Sequence, residues 1–410
     1  MEKVNFIPVL LGSDVNVYGM ARSFHEAYGV CSLAIGKGRL PATANSRIVK
    51  VMVAEPNLED DHVFCETLIA FAKRFENDAR TLLLVSCGDN YSKLLSRNEK
   101  ALRPYYAFHC IDEALLSRLS VKENFYQVCE ECGLSYPKTA YVTSENYKHF
   151  VPPFSFPVIV KPSNSIAYWN CSFAHKKKVF LAKDKEEFDK ILDAIYSSSY
   201  QDALIIQDYI IGDDSHMRVL NCYSDSQGKV KLISLGNALL EEHTPEGIGS
   251  YAAIISGYDE ALSEKIQAFL NGIGYRGFSN FDMKFDVRDG SYKFFEMNPR
   301  QGRSSFFVTA AGCNMAKWLV EDLVEHKELP VTISKEKSLW TLIPKDVLFT
   351  YLPDGEKKEE AKELYRAGKV CHSLFYKKDI GLRRLIFYFA NQRHYREKYK
   401  KYFGKKGFDA

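Results

Sequence analysis

The sequence predicts an α/β unit with an open, mostly parallel sheet, followed by α+β units built on antiparallel strands. Three observations lead there. Over residues 1–112, strand-like apolar runs alternate with amphipathic helices. A smaller α+β alternation occupies about residues 138–210. Further on, "NFDMKFDVRDGSYKFFEMNPRQGR", residues 280–303, reads as two period-2 strands joined by a turn at Arg288-Asp289-Gly290.

The first unit opens with the strand "VNFIPVLLG", the turn "SDVN" and a helix carrying Val17, Met20, Ala21, Phe24, Ala27 and Tyr28 on one face. The strands "SRIVKVMVA" and "TLLLVSCGDN" follow, with the helix "DHVFCETLIAFAKRF" between them. Such alternation predicts a Rossmann-like sheet. The loops "GSDVNVYG" and "CGDNY" leave strand ends, where open α/β sheets usually bind ligands. Neither is a nucleotide fingerprint: the GxGxxG pattern fails after Gly12, and no GxxxxGK[ST] occurs.

From residue 113 the pattern turns helical through "SVKENFYQVCEECGL", and Tyr136-Pro137 ends that run. The small unit then reads as strands "FPVIVKPS" and "KKVFLAK", a helix "DKEEFDKILDAIYSS" with a start signal in Asp184 and Glu187, and the strand "DALIIQDYI". Strands "HMRVLNCYSD" and "VKLISLGNALLEEHT" and the helix "DEALSEKIQAFLNGIG" lead into the long hairpin. Boundaries are expected at residues 1–112, 113–330 and 331–410, the small unit forming a lid within the second. The last of these regions is basic, with eleven Lys and Arg against three Asp and Glu from Cys371 to Ala410.

Bulk properties exclude several classes. At 410 residues the chain exceeds what one hydrophobic core usually covers. A net charge of +3 is too small to imply a nucleic-acid protein by itself, and no nucleic-acid partner is expected. No run approaches the roughly 18 apolar residues of a membrane span, and "MEKVNFIPVLLGSD" has no cleavage site of small residues. Ten scattered cysteines fit a reducing compartment. Cys129 and Cys132 form one CxxC in a helical segment with no second pair, which argues against zinc. A cytoplasmic protein is expected.

Three constellations carry chemistry. In the hairpin, a three-residue loop centred on Asp289 places Asp282 opposite Glu296 and Asn280 opposite Asn298. Like charges across a ladder destabilise it, so the acids need a cation between them or full exposure. Oxygen-only donors in Asp282, Glu296 and Asn298 suit Mg2+ or Mn2+. Arg300 and Arg303 follow Pro299 and point to an anionic substrate. The other reading is an exposed hairpin with alternating charges.

Lys161 ends an apolar strand, where an ammonium needs an anion or the mouth of a cleft. The loop after it, "SNSIAYWNCSFAHKKK" with Ser163 and Lys178, either folds over phosphates or forms a basic surface hairpin. In "ALIIQDYIIGDDSHMR", Gln207 and Asp208 end a buried strand that can face an adenine ring, Asp213 and Asp214 can reach a ribose, and Arg218 can point to phosphates. By itself that segment is also an ordinary strand and turn. His216 reads as lining of the same cleft rather than a base.

Taken in order, Lys161, "IIQDYIIGDD", Arg218, Asp282 and "EMNPR" resemble the ATP-grasp superfamily over residues 113–320. The resemblance implies two α+β subdomains holding ATP between them. It implies Lys122 and Lys161 on the phosphates or adenine, Gln207, Asp208 and Ile210 at the adenine hinge, and Asp214 near the ribose. Asp282, Glu296 and Asn298 become ligands of two Mg2+ ions. The chain departs from richer members by lacking glycines in "SNSIAYWN".

A closer likeness runs through "LLGSDVNVYGMARSFHEAYGV", "CGDNYSKLLSRN" and "FYQVCEECGLSYPKT". These segments resemble the carboxylate–amine ligase branch that includes the D-aspartate ligases of Gram-positive cell-wall synthesis. That implies activation of an amino acid carboxylate as an acyl phosphate, then attack by an amine, with a muramyl peptide lysine as expected acceptor. Arg300 would neutralise the carboxylate or acyl phosphate, Arg218 the moving phosphoryl group, with Arg303 a second clamp.

Asp14, Asn16, Tyr18, Arg22, Asp89, Asn90 and Tyr91 are candidates for holding the other substrate, and equally for turns, caps and packing. Two further readings keep the same motifs: a ligase making a small dipeptide or natural product, and a degenerate nucleotide-binding regulator. The basic tail fits a diphosphate-bearing precursor, peripheral binding to an anionic membrane, or a helix packed through Leu385, Tyr388 and Phe389.

Overall fold

A computed structural model describes residues 4–404 except 245, 246 and 248. Its first sheet is parallel, in the order β3-β2-β1-β4, from β1 (Phe6–Leu11), β2 (Ser32–Gly36), β3 (Val49–Ala54) and β4 (Thr81–Ser86). Every side chain of β1 is buried, as a central parallel strand covered on both faces requires. Asp14 caps the helix Val15–Tyr28 by accepting from the backbone N–H of Asn16 and Val17.

The second sheet, order β5-β8-β6-β7, is antiparallel: β5 (Thr139–Val142), β6 (Val158–Pro162), β7 (Phe180–Ala182) and β8 (Leu204–Asp208). The helix Lys185–Tyr196 packs on it, and Asp184 accepts from the Glu187 N–H at 2.9 Å, as the spacing predicts. In β6, Val158 and Val160 enter the core between sheet and helix, which leaves Ile159 and Lys161 on the other face. The segment read as a phosphate loop contains a helical turn, Ser165–Asn170.

The third sheet has eight strands: β9 (Met217–Ser224), β10 (Val230–Glu241), β11 (Tyr251–Gly257), β12 (Gly277–Asp286), β13 (Ser291–Asn298), β14 (Thr332–Ile333), β15 (Leu339–Thr341) and β16 (Val370–His372). Its main path runs β13-β12-β9-β10-β11-β15-β16, with β14 beside β10. The last region of the chain therefore extends this sheet as well as packing on it. Trp340 in β15 is fully buried and its indole N–H donates to Ser373 Oγ at 2.7 Å. Trp340→Ala should lower stability by about 3–5 kcal/mol, read as a lower urea midpoint.

The hairpin β12–β13 pairs Asp282 with Glu296 and Asn280 with Asn298, the expected partners, by a different route. The turn has four residues, 287–290, because Asp286 pairs with Ser291. The register is restored by a shift between Asp282 and Met283 that leaves Phe295 as an extra residue, a β-bulge.

The C-terminal helix Leu382–Tyr402 packs through Arg384, Gln392, Tyr395 and Tyr399. That corrects the expected face. Leu385 and Tyr388 are half-buried, and Phe389 is exposed.

Candidate active site

A cleft of about 240 Å³ separates the second sheet from the β12–β13 hairpin. Ile159 and Leu181 line one wall; Met217 and Phe295 line the other. Ile210, just past the end of β8, closes one side. This apolar slot suits a planar aromatic group. Gln207 and Asp208 reach it too, where the ladder of β8 ends. The Gln207 amide donates to Tyr126 Oη at 2.9 Å and Thr139 Oγ1 at 2.8 Å, which fixes its orientation.

At the polar end, cations gather around one carboxylate. Lys122 Nζ lies 3.1 Å from Glu296 Oε2, and Lys161 and Lys178 line the same end. Lys122 foremost, then Lys178 and Lys161, hold the Glu296 carboxyl well below its ordinary range. Burial, then the neighbouring Lys122, pushes Lys161 down to about 7. Phe295 and Glu296 are consecutive yet both face the cleft, which the bulge allows.

Beside Glu296 sits Asp282. Its Oδ1 accepts from Tyr251 Oη at 2.9 Å and its Oδ2 from Asn298 Nδ2 at 3.1 Å. Burial first, then the Glu296 charge, raises its pKa well above the usual carboxylate value. Asn298 gives its other hydrogen to Asn280 Oδ1 at 3.1 Å, so its own Oδ1 remains an acceptor, 3.3 Å from Arg300 Nη2.

These donors fit a hard divalent cation. Among the described residues no group of three or more His, Cys, Asp and Glu is placed to hold a metal. A cation here would rest on two carboxylates and one amide oxygen, with water and phosphate in the remaining positions, the coordination Mg2+ favours. Tyr251 positions the Asp282 carboxylate. Tyr251→Phe should raise the Mg2+ concentration for half-maximal activity about tenfold, measured by titrating Mg2+ at saturating ATP.

Arg300 and Arg303 extend the site toward the first sheet. Arg300 Nη2 pairs with Asp89 Oδ2 at 2.9 Å, and its Nε is buried with no partner among the described residues. Arg303 Nη2 lies 2.6 Å from Glu242 Oε1, which also accepts from Tyr395 Oη at 3.0 Å. Asp14 lies within the field of both arginines. The C-terminal helix thus reaches the site through Tyr395, and Lys398 stands 3.7 Å from Glu242 Oε2.

Several expected residues sit elsewhere. Arg218 pairs with Met283 and its neighbour Val219 with Asp282, so strand parity puts Arg218 on the sheet face opposite the acids. Its guanidinium donates to the carbonyls of Ser215 at 2.6 Å and Met217 at 2.9 Å. Ser163 spends its hydroxyl on Ala203 O at 2.8 Å and does not line the cleft. Asp214 is buried, accepting from Glu241 N and His243 Nε2 rather than facing a ribose. His216 pairs with Asp213.

In the first unit most candidates are structural. Asn16 is buried and donates to Cys87 O and Gln301 O, tying the first unit to the arginine loop. Tyr18 is buried on Asp379, and Arg22 binds three carbonyls from His372 to Phe375. Tyr91 is buried against Phe64, and Asn90 leans on Glu59. Asp14 and Asp89 remain beside the arginines. Sequence reading overlooked Tyr251, Phe295, Glu242 and Tyr395; for Tyr251 the apolar run "YAAIISG" was an available strand signal.

No family model matches the chain. A D-aspartate ligase from Enterococcus faecium is 43% identical over 413 residues, covering 98% of each chain. Among solved structures, an N5-carboxyaminoimidazole synthetase from Staphylococcus aureus superposes with a TM-score of 0.58 at 12% identity, covering 85% of both chains. An L-amino acid ligase from Bacillus licheniformis gives 0.55 at 15% identity, covering 78% of this chain and 75% of that one. The structural likenesses carry the ATP-grasp fold, and identity sustained along nearly the full length carries more: the chain belongs to the D-aspartate ligase family of ATP-grasp carboxylate–amine ligases.

Proposed function

We propose that the protein joins a carboxylate of D-aspartate to an amine, the lysine side chain of a muramyl peptide precursor, in the cytoplasm. The observation that carries this reading is the Asp282–Glu296 pair at the polar end of an aromatic-sized cleft, with Arg300 beside it. Mg2+-ATP, when bound, supplies the phosphoryl group that turns the carboxylate into an acyl phosphate and so gives it a leaving group.

The chain's own residues orient and neutralise. Ile159, Leu181 and Phe295, which line the cleft, would hold the base, while Lys122, Lys161 and Lys178 at its polar end would neutralise the phosphates. Asp282, Glu296 and Asn298 would hold the metal. Arg300 and Arg303 meet the two carboxylates of a dicarboxylic amino acid, displacing Asp89 and Glu242. Little covalent work falls to side chains, so positioning and charge neutralisation account for the rate.

ADP release tests the reading. D-aspartate should give the highest kcat/KM among D- and L-amino acids, with a lysine-containing muramyl peptide as acceptor and a strict requirement for Mg2+. Preference for an L-amino acid joined to a second free amino acid would replace it with a dipeptide ligase.

A further inference from the structure

The C-terminal helix Leu382–Tyr402 has a second face, which the site does not use. Leu382, Ile386 and Phe389 are exposed by 77%, 62% and 64%, and their spacing of four and three residues aligns them in one stripe. The same spacing carries the stripe on to Arg393, Arg396 and Lys400, all exposed. Lys377, Lys378, Arg383 and Arg47 are exposed around its start, the last beside Gly381.

Two acids meet this border: Glu397, the one acidic residue of the helix, pairs with Arg393 at 3.0 Å, and Asp346 binds Arg396 at 2.7 and 2.9 Å, while Asp379 is buried near Arg384. The excess of charge therefore lies with Lys377, Lys378, Arg383 and Arg47 around the helix start and with Lys400. Among the described residues no helix is long and apolar enough to cross a membrane. Three exposed apolar side chains at the start of the helix, beside basic residues, fit a local contact with an anionic membrane interface.

We propose that this face docks on an anionic lipid surface, with Leu382, Ile386 and Phe389 among the acyl chains and the surrounding lysines and arginines against lipid phosphates. Charge complementarity selects this occupant. A second copy of the chain would bring the same basic rim against itself, which disfavours a two-fold contact here. Because Tyr395 and Lys398 on the same helix touch Glu242, docking also sets the orientation of the cleft to the bilayer.

Flotation of the full chain with vesicles tests this. The wild type should bind phosphatidylglycerol-containing vesicles, bind pure phosphatidylcholine poorly, and dissociate at high salt. The triple variant Leu382→Ser, Ile386→Ser, Phe389→Ser should bind about tenfold less, with unchanged ADP release in solution. Absence of vesicle binding, equal binding to phosphatidylcholine, or wild-type binding by the variant would overturn the proposal. So would a wild-type dimer that the variant dissociates, which would make the stripe an interface between copies.

Discussion

Asp282→Asn should lower kcat by about 10³-fold or more, yet the ligand-free protein should melt a few degrees higher near neutral pH. Both effects come from the apposed acids. Burial and the Glu296 charge raise the Asp282 pKa in the fold, so the folded chain keeps that proton where the unfolded chain has lost it. Stability from this group is therefore present at low pH and is lost as pH rises from the ordinary carboxylate range through the raised value. Asparagine does not titrate and escapes that loss.

Melting curves between about pH 5 and about pH 9 should show the gap between variant and wild type widening as pH rises. Added Mg2+ and a non-hydrolysable ATP analogue should narrow it, because bound cation stabilises the wild type selectively. A variant that melts lower than wild type across that range, or that retains turnover, would contradict the metal assignment.

Arg300→Lys should reduce kcat/KM for the amino acid by about 10²–10³-fold. The guanidinium holds Asp89 at 2.9 Å and Asn298 Oδ1 at 3.3 Å and keeps its Nε for a further acceptor. A lysine ammonium cannot span all three directions. Asp89→Asn removes only the resting partner of Arg300, so a milder change of about tenfold in KM is expected, with kcat preserved. Steady-state kinetics over amino acid concentration separate the two, and equal losses in both variants would place Arg300 in a structural role.

Elements with a strong period were legible in the sequence. The hairpin showed itself through Phe281, Met283 and Phe285 alternating with Asp282, Lys284 and Asp286, and the acid pairing followed from counting across the turn. The bulge at Phe295 was not legible, because a three-residue loop without a bulge gives the same partners. β2 and β11 carry ordinary apolar runs without alternation, and they went unread.

The site residues divided along a physical line. Lys161 was identifiable because an ammonium at the end of an apolar strand needs a reason. Arg218 was misplaced because sequence order does not tell which face of a sheet a strand presents until its neighbour is known. Asp214, Asn16 and Tyr18 are polar residues whose partners come from distant segments, so their burial was invisible to local pattern.

The helix Leu382–Tyr402 supplies Tyr395 to Glu242, 153 positions away, while Arg300 waits on Asp89, 211 positions earlier. A nascent chain therefore lacks the Tyr395 support of Glu242 until that helix has been made, however well its earlier segments have folded. Stop codons that remove Tyr395, even those that spare all three sheets, should therefore lower activity, and should lower stability too because Tyr395 and Tyr399 belong to the core.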